Sequence, residues 1–156
     1  MILRHVMTIF CDDVRQEILG KLTFVGVYAG QLFVPTFPTT LAKLCLAIDV
    51  ITPARQPLQK VVIRVLKDDD VLTEAEVPDA NLIPDPAYPL PPNDDDSDNR
   101  LQRLQSLFAY APFPIEKPCR IRVRVQTESE ELRGLGLRIQ QAPPGMFEPF
   151  VQDSKK

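Results

Sequence analysis

The chain has 156 residues, 44% hydrophobic and 25% charged, which is enough for one domain with its own core. Sixteen prolines against six glycines argue against a helical bundle, because proline breaks helix interiors. The net charge of −3 hides an uneven distribution. Residues 68–98 carry eleven acidic and no basic side chains, whereas the rest of the chain carries 18 basic and ten acidic ones. We therefore expect a basic domain with one acidic segment.

Strands are predicted along most of the first half of the chain. Several segments are rich in β-favouring residues or alternate apolar and polar side chains with the period of two that a strand requires. Prolines and glycines separate these segments. The predicted strands cover residues 5–11, 21–28, 31–34, 44–51, 60–67 and 71–77.

An uncharged stretch of 21 residues lies between Lys21 and Lys43 and is long enough to cross a bilayer as a helix. It contains Gly26, Gly30 and two prolines, which indicate buried strands and turns instead. Residues 1–13 also lack the pattern of a signal peptide. We predict a cytoplasmic protein that has no association with membranes.

The second half begins with a segment of different composition. Residues 78–99 contain six prolines and a run of aspartates, which predicts a long, mobile loop. Residues 100–108 fit either a helix or a strand, because Leu101, Leu104 and Phe108 have helical spacing. We favour a strand over residues 105–111.

The clearest predicted element is a hairpin over residues 119–140. Its first strand alternates apolar and cationic side chains, and its second carries apolar residues on one face only. One face is thus predicted to join the core and the other to be cationic. The core set is Ile121, Val123, Val125, Leu135, Leu137 and Ile139, and the other set is Arg120, Arg122, Arg124, Gly134, Gly136 and Arg138.

Matching like faces fixes the register of this hairpin. Pairing Ile121 with Leu137 places Arg120 opposite Arg138, an unfavourable contact of like charges that the acidic segment could neutralise. The glycines leave space for an anion or a partner backbone, unless the arginines lie flat and cover them. The next predicted pairs are Val123 with Leu135, Arg122 with Gly136 and Arg124 with Gly134. The predicted partner-binding residues here are Arg120, Arg122, Arg124 and Arg138.

These elements predict an all-β fold. Eight to nine short strands separated by turns favour an antiparallel β-sandwich, either immunoglobulin-like or C2-like, with a long acidic, proline-rich loop. We expect one domain over residues 1–140, with the loop at 78–99 inside it, and a C-terminal tail over 141–156. The glycine-rich motifs of nucleotide-binding α/β folds do not occur in the sequence.

One sequence motif carries a family resemblance. Residues 10–30 read Phe-Cys-Asp-Asp-Val-Arg-Gln-Glu-Ile-Leu-Gly-Lys-Leu-Thr-Phe-Val-Gly-Val-Tyr-Ala-Gly, and residues 34–38 and Leu44-Cys45 continue the pattern. The motif resembles a family of small bacterial and prophage-associated proteins of unknown function. The resemblance extends to about residue 70 and, more weakly, over the 119–140 hairpin. It implies a β-sandwich and no particular activity, and the 78–99 segment is where this chain departs from the pattern.

Polar residues within the motif have two interpretations. Asp12 is predicted to cap a short helical turn that Gly20 ends. The alternative is a recognition patch at the edge of the sandwich. The predicted partner-binding residues of that patch are Asp12, Asp13, Arg15 and Glu17.

Catalytic chemistry finds little support in the sequence. The single histidine, His5, lies about 20 Å along a strand from Cys11, too far for a nucleophile pair. The three cysteines lack the paired spacing of a zinc site or a disulfide framework. We predict no catalytic, cofactor or metal residues, although the aspartates at 68–70 and 94–98 keep a calcium site as the alternative.

The early strands are apolar on both faces, so one face needs a second cover. That cover could be the tail, the proline-rich segment or another subunit. We therefore predict a non-enzymatic interaction or assembly module whose partner is a protein, either a second copy or a neighbouring gene product. The acidic isoelectric point of 5.2 and the lack of aromatics among the arginines argue against nucleic acid. An anion-binding domain is an alternative.

Overall fold

A computed structural model describes residues 3–82 and 100–148. These residues form eleven β-strands and two single 3-10 turns, Ile18–Gly20 and Asp79–Asn81. The strands are β1 His5–Gln16, β2 Leu22–Val27, β3 Gln31–Val34, β4 Thr39–Leu41, β5 Leu44–Pro53, β6 Val61–Lys67, β7 Asp70–Glu76, β8 Leu101–Tyr110, β9 Phe113–Ile115, β10 Cys119–Thr127 and β11 Glu131–Gln141.

The strands are arranged in two main sheets. Sheet A has the order β2-β1-β5-β8, and sheet B has the order β3-β11-β10-β6-β7, while β4 and β9 form a separate ribbon. The predicted all-β sandwich is confirmed. The predicted count of eight to nine strands was wrong, because β4 and β9 have only three residues each and β9 contains Pro114. One pairing, β3 with β11, is parallel rather than antiparallel.

The inner faces of the two sheets form one core. The strand β5 contributes four side chains at a period of two, and β6, β10 and β11 of sheet B face them. These central residues are almost fully shielded from solvent. The set is Leu44, Leu46, Ile48, Val50, Ile63, Val65, Ile121, Val123, Val125, Leu137 and Ile139.

The two sheets come closest where β1 crosses β11. A Cβ atom on Gly134 would lie 2.6 Å from Cγ2 of Thr8 and 3.2 Å from Cγ1 of Val6. The hydroxyl of Thr8 donates a hydrogen bond of 2.6 Å to the carbonyl oxygen of Leu135. Only a glycine therefore fits at position 134 without displacing these side chains.

A buried arginine also joins the sheets, immediately before β1 begins. Arg4 Nε donates to the hydroxyl of Thr52 on β5 at 3.1 Å, and Arg4 Nη1 lies 2.6 Å from the Glu128 carboxylate. The same nitrogen donates to the hydroxyl of Thr127 at the end of β10. Because Arg4 is only 9% exposed, this charge is held by polar groups of both sheets rather than by water.

Residues 101–108 of the ambiguous segment belong to a strand, β8, which begins at Leu101 and so starts earlier than the favoured 105–111 segment. Pairing with β5 along the whole length overrides the helical spacing of its leucines. Of the predicted loop at 78–99, residues 83–99 lie outside the described residues. Residues 79–81 form a 3-10 turn.

The predicted capping role of Asp12 was wrong. The strand β1 continues through this residue to Gln16, and the following turn has Glu17 before it with no side-chain capping bond. Leu19 takes the left-handed conformation inside that turn (φ 66°), and Gly20 does the same (φ 71°).

The predicted hairpin register is correct over its first half. Ile121 pairs with Leu137, and Arg120 pairs with Arg138. Beyond them a β-bulge shifts the register, so that Val123 pairs with Gly134 rather than with Leu135. Arg124 consequently faces Arg133, and two residues of β11 oppose Arg122, which the alternation of side chains alone cannot reveal.

Candidate interaction surfaces

The middle of the outward side of sheet A is apolar, with polar side chains toward both ends of the strands. Its side chains come from the alternate residues of four neighbouring strands, which the pairing registers place side by side. We call this surface the apolar face. It consists of Met7, Ile9 and Cys11 of β1, Val25 and Val27 of β2, Cys45 and Ala47 of β5, and Leu107 and Ala109 of β8.

Large side chains of the apolar face are open to solvent. Met7 is 51% exposed and Val27 58%, and Leu107 at the other edge is 39% exposed. Between them, Cys45 and Ala47 are at most 2% exposed, because small side chains on the central strand lie below their larger neighbours. The face is therefore an apolar surface with projecting margins.

Charged groups at the ends of the apolar face are already paired. Asp49 is only 6% exposed and accepts hydrogen bonds from Arg103 at 2.8 Å and Gln105 at 2.9 Å. At the other end Asp13 lies 2.5 Å from Lys43 Nζ, and this hydrogen bond lowers the pKa of the Asp13 carboxyl. The face thus presents little net charge.

Two cysteines of the apolar face are buried. Cys11 and Cys45 are cross-strand partners in the β1–β5 register, and both are buried. Burial is the main cause that raises the pKa of the Cys11 thiol, and the neighbouring Cys45 raises it further. The thiol therefore stays protonated. Within residues 3–82 and 100–148, no group of three or more histidine, cysteine or acidic side chains is placed to hold a metal ion.

The outward side of sheet B is cationic. We call it the arginine face, and it brings together all four arginines that the hairpin pattern predicted. Two further arginines join them, from β6 and from the shifted end of β11. The six are Arg64, Arg120, Arg122, Arg124, Arg133 and Arg138.

Four arginines of this face have an acidic partner. Arg64 lies 2.6 Å from Glu74, Arg122 lies 3.7 Å from Asp69, and both Arg124 and Arg133 are within 4.0 Å of Glu131. The side chains of Arg120 and Arg138 have no acidic partner among the described residues. Of the acidic segment at 68–98 that was predicted to neutralise this pair, residues 68–82 form no ion pair with either guanidinium group, and residues 83–98 lie outside the described residues.

The polar patch predicted at the end of β1 is divided between two faces. Asp12 lies on the core side of the strand, over Gly26, and accepts a hydrogen bond from the Tyr28 hydroxyl. Burial, together with this bond, raises the pKa of Tyr28. Asp13 lies on the other side and belongs to the margin of the apolar face.

The remaining two residues of that patch have local partners. Arg15 Nε lies 3.6 Å from the Asp13 carboxylate, and Glu17 accepts a hydrogen bond of 3.0 Å from the Thr23 hydroxyl. Neither residue reaches the arginine face, so the eight predicted partner-binding residues do not form one site.

Some residues of these surfaces could not be predicted from the sequence. Leu107 joins the apolar face because β8 pairs with β5, and the ambiguous 100–108 segment gave no sign of this. Gly30 and Gln31 approach Arg138 because β3 pairs with β11 in parallel, which brings residues more than a hundred positions apart together. The two-faced apolar pattern of β1 and β2 indicated the apolar face, and the alternation in the hairpin indicated the arginine face.

No helix among the described residues is long and apolar enough to cross a membrane.

Comparison with known proteins places the chain in a family. No curated protein and no solved structure matches the chain. The model of a family of unknown function (DUF6941) matches residues 6–140, which is most of the sequence, and the chain therefore belongs to that family.

Proposed function

We propose that this protein is a non-enzymatic interaction module whose partner is a second copy of the chain, bound through the apolar face. The observation that carries the proposal is the continuous apolar surface on the outward side of sheet A, with Met7 and Val27 more than half exposed. A sheet that faces water normally places polar side chains outward. Contiguous exposed apolar surface of this kind marks an interaction site.

Electrostatics favours the apolar face over the arginine face for self-association. In a two-fold dimer the same patch of both copies meets, so any net charge on that patch repels its own image. The charges at the ends of the apolar face are neutralised by Arg103 and Lys43. Two arginine faces brought together would repel each other, because Arg120 and Arg138 carry no described counter-charge.

Shape supports the same partner. The central strand presents Cys45 and Ala47, and Met7 on one flank and Leu107 on the other project beyond them. In a two-fold arrangement the projecting flank of one copy packs over the small residues of the other. Such self-complementarity is what an isologous interface requires.

The non-enzymatic part of the proposal is supported by the state of the thiols. Burial raises the pKa of both Cys11 and Cys119, and a protonated thiol is a weak nucleophile. Cys119 is a buried residue of sheet B, whereas Cys11 and Cys45 are on sheet A, so the three do not form one cluster. This arrangement suits the reducing cytoplasm in which we propose that the protein works, in a bacterial or prophage setting.

Sedimentation velocity over a range of protein concentrations tests the proposal. We expect wild-type chain to show a reversible monomer–dimer equilibrium. Met7→Lys and Val27→Lys place a charge in the face and should each weaken dimerisation by about tenfold or more, as like charges meet across the two-fold axis. Leu135→Lys is the matched control, because Leu135 is 79% exposed on sheet B, and it should leave dimerisation unchanged.

Each outcome has a clear meaning. Circular dichroism must show that all three variants keep the native fold. A wild-type chain that stays monomeric at millimolar concentration contradicts self-association. Dimerisation that the Leu135 variant weakens and the Met7 variant spares would place the interface on sheet B instead.

A further inference from the structure

Arg120 and Arg138 are opposed at the closest spacing that an antiparallel pair allows. The backbone N–H of Arg120 donates to the Asp68 carboxylate and its carbonyl accepts from the Asp68 N–H, so both groups point away from β11. The N–H of Arg138 donates to the carbonyl of Gly30, away from β10. The two arginines are therefore a non-hydrogen-bonded pair, whose Cα atoms lie about 4.5 Å apart in such ladders.

This opposed pair is electrostatically uncompensated. Like charges directly across a ladder destabilise a sheet. Every other arginine of the arginine face lies within 4.0 Å of a carboxylate, whereas these two guanidinium groups have no acidic partner in the described part of the chain. A bound anion would remove the repulsion, and it would gain hydrogen bonds from both side chains.

The backbone beside the pair leaves space for such an anion. At Gly136 the carbonyl oxygen of Ile121 fills the place of a Cβ atom, 2.5 Å away, so the opening is not at this glycine. Gly30 on the neighbouring strand faces open space and has φ of 81°. With Gln31, these residues and the two arginines line a shallow cleft of about 410 Å³.

Gln31 adds an oriented donor. Its amide oxygen accepts a hydrogen bond of 3.1 Å from Gln140, and its NH₂ group is a further donor on a residue that lines the cleft. The cleft thus offers two guanidinium groups and one amide as hydrogen-bond donors. Such donors match an oxyanion with several acceptor atoms better than a single carboxylate.

We propose that Arg120, Arg138 and Gln31 form a binding site for a doubly charged tetrahedral oxyanion, namely a phosphate group. Two positive charges balance its two negative charges, and the guanidinium groups supply paired N–H donors to its oxygens. Because the cleft is open to solvent, it accepts either free phosphate or the terminal group of a phosphomonoester. The site is on the opposite sheet from the apolar face and does not depend on self-association.

Titration of the full chain with inorganic phosphate at low ionic strength tests the site. Binding is measured by calorimetry and by NMR of the arginine Nε–Hε resonances. We expect saturable binding that shifts the resonances of Arg120 and Arg138. Arg120→Gln and Arg138→Gln should each weaken binding by about tenfold or more, because each removes a charge-assisted contact. Arg133→Gln is the matched control on the same strand as Arg138, 74% exposed, and should change binding by less than about twofold.

The outcomes separate a built site from general attraction. Equal weakening by all three variants would mean diffuse electrostatics and would overturn the proposal, as would the absence of saturable binding of phosphate and of phenyl phosphate. Binding of inorganic phosphate identifies the free anion as a ligand, and binding of phenyl phosphate alone identifies an esterified group. Met7→Lys should bind the anion normally, so failure of this site and failure of self-association are distinguishable.

Discussion

The two sheets of this sandwich have similar inner faces and opposite outer faces. Sheet B follows the usual alternation, with apolar residues inward and arginines outward, whereas the middle of the outward side of sheet A is apolar across four strands. The inner faces are similar because the side chains of both sheets fill one core. We attribute the difference between the outer faces to the surroundings that we propose for them: an apolar partner in one case, and water with an anion in the other.

The first prediction concerns Arg4, which joins the sheets on which this contrast depends. Arg4→Met keeps most of the aliphatic stem but removes the partner of Glu128 and the bonds to Thr52 and Thr127. We expect the free energy of unfolding to fall by about 3 kcal/mol, since the buried hydroxyls of Thr52 and Thr127 lose a charged donor and the Glu128 carboxylate loses its counter-charge. Urea denaturation measures it, with Arg133→Met as an exposed control that should change stability by under about 0.5 kcal/mol. A loss no larger than that of the control would contradict the role of Arg4.

The second prediction concerns the close approach of the sheets at Gly134. Gly134→Ala brings a methyl group within 2.6 Å of Thr8 Cγ2, and we expect a loss of about 1–3 kcal/mol by thermal or urea unfolding. Thr8→Ser removes that methyl group and keeps the hydroxyl that bonds Leu135. In the Thr8→Ser background the alanine should therefore cost less, and an equal cost in both backgrounds would show that the clash is not the cause.

The third prediction is a dependence of stability on pH. Burial alone would raise the pKa of Glu128, but hydrogen bonds from backbone N–H groups and from Arg4 lower it from 4.5 to about 2. Because the folded-state pKa lies below the unfolded one, this stabilisation is complete above pH 4.5 and is lost as the pH falls toward 2. Unfolding free energies measured across that window should fall less steeply in Glu128→Gln than in the wild type. Identical slopes would contradict the assignment.

The smallest expected effect concerns the margin of the apolar face. Asp13→Asn removes the negative partner of Lys43, and the stability of the monomer should change by about 0.5 kcal/mol or less, because the pair is near the surface. Dimerisation should weaken more than stability does, since each copy then carries an unbalanced lysine at the interface. Sedimentation measures the dimerisation of this variant, and urea denaturation measures its stability. A loss of stability without weaker dimerisation would count against the placing of Lys43 at the interface.

Much of the fold follows from local sequence pattern. Alternation along β5, β6 and β10 identifies the strands and their inner faces, because the period of two is a property of each strand alone. It fails at the β-bulge opposite Arg122, where the close contact of Gly136 with the Ile121 carbonyl sets the register. It also fails at β4 and β9, which are too short to show a period.

The candidate surfaces were predictable in part. The hairpin pattern placed four arginines on one outward face, including the opposed pair at Arg120 and Arg138. The contributions of Gly30, Gln31 and Leu107 depend on which strands become neighbours, and that is decided by packing across the whole chain. The capping role assigned to Asp12 failed for the same reason, since pairing with β2 extends β1 through that residue.

Amide NMR spectra recorded from dilute to concentrated wild-type protein are the decisive test of self-association through the apolar face. We expect concentration-dependent shifts in β1, β2, β5 and β8 of sheet A, centred on the apolar face, with β10 and β11 unchanged. Shifts centred on β10 and β11, or spectra that do not change with concentration, would contradict self-association through the apolar face.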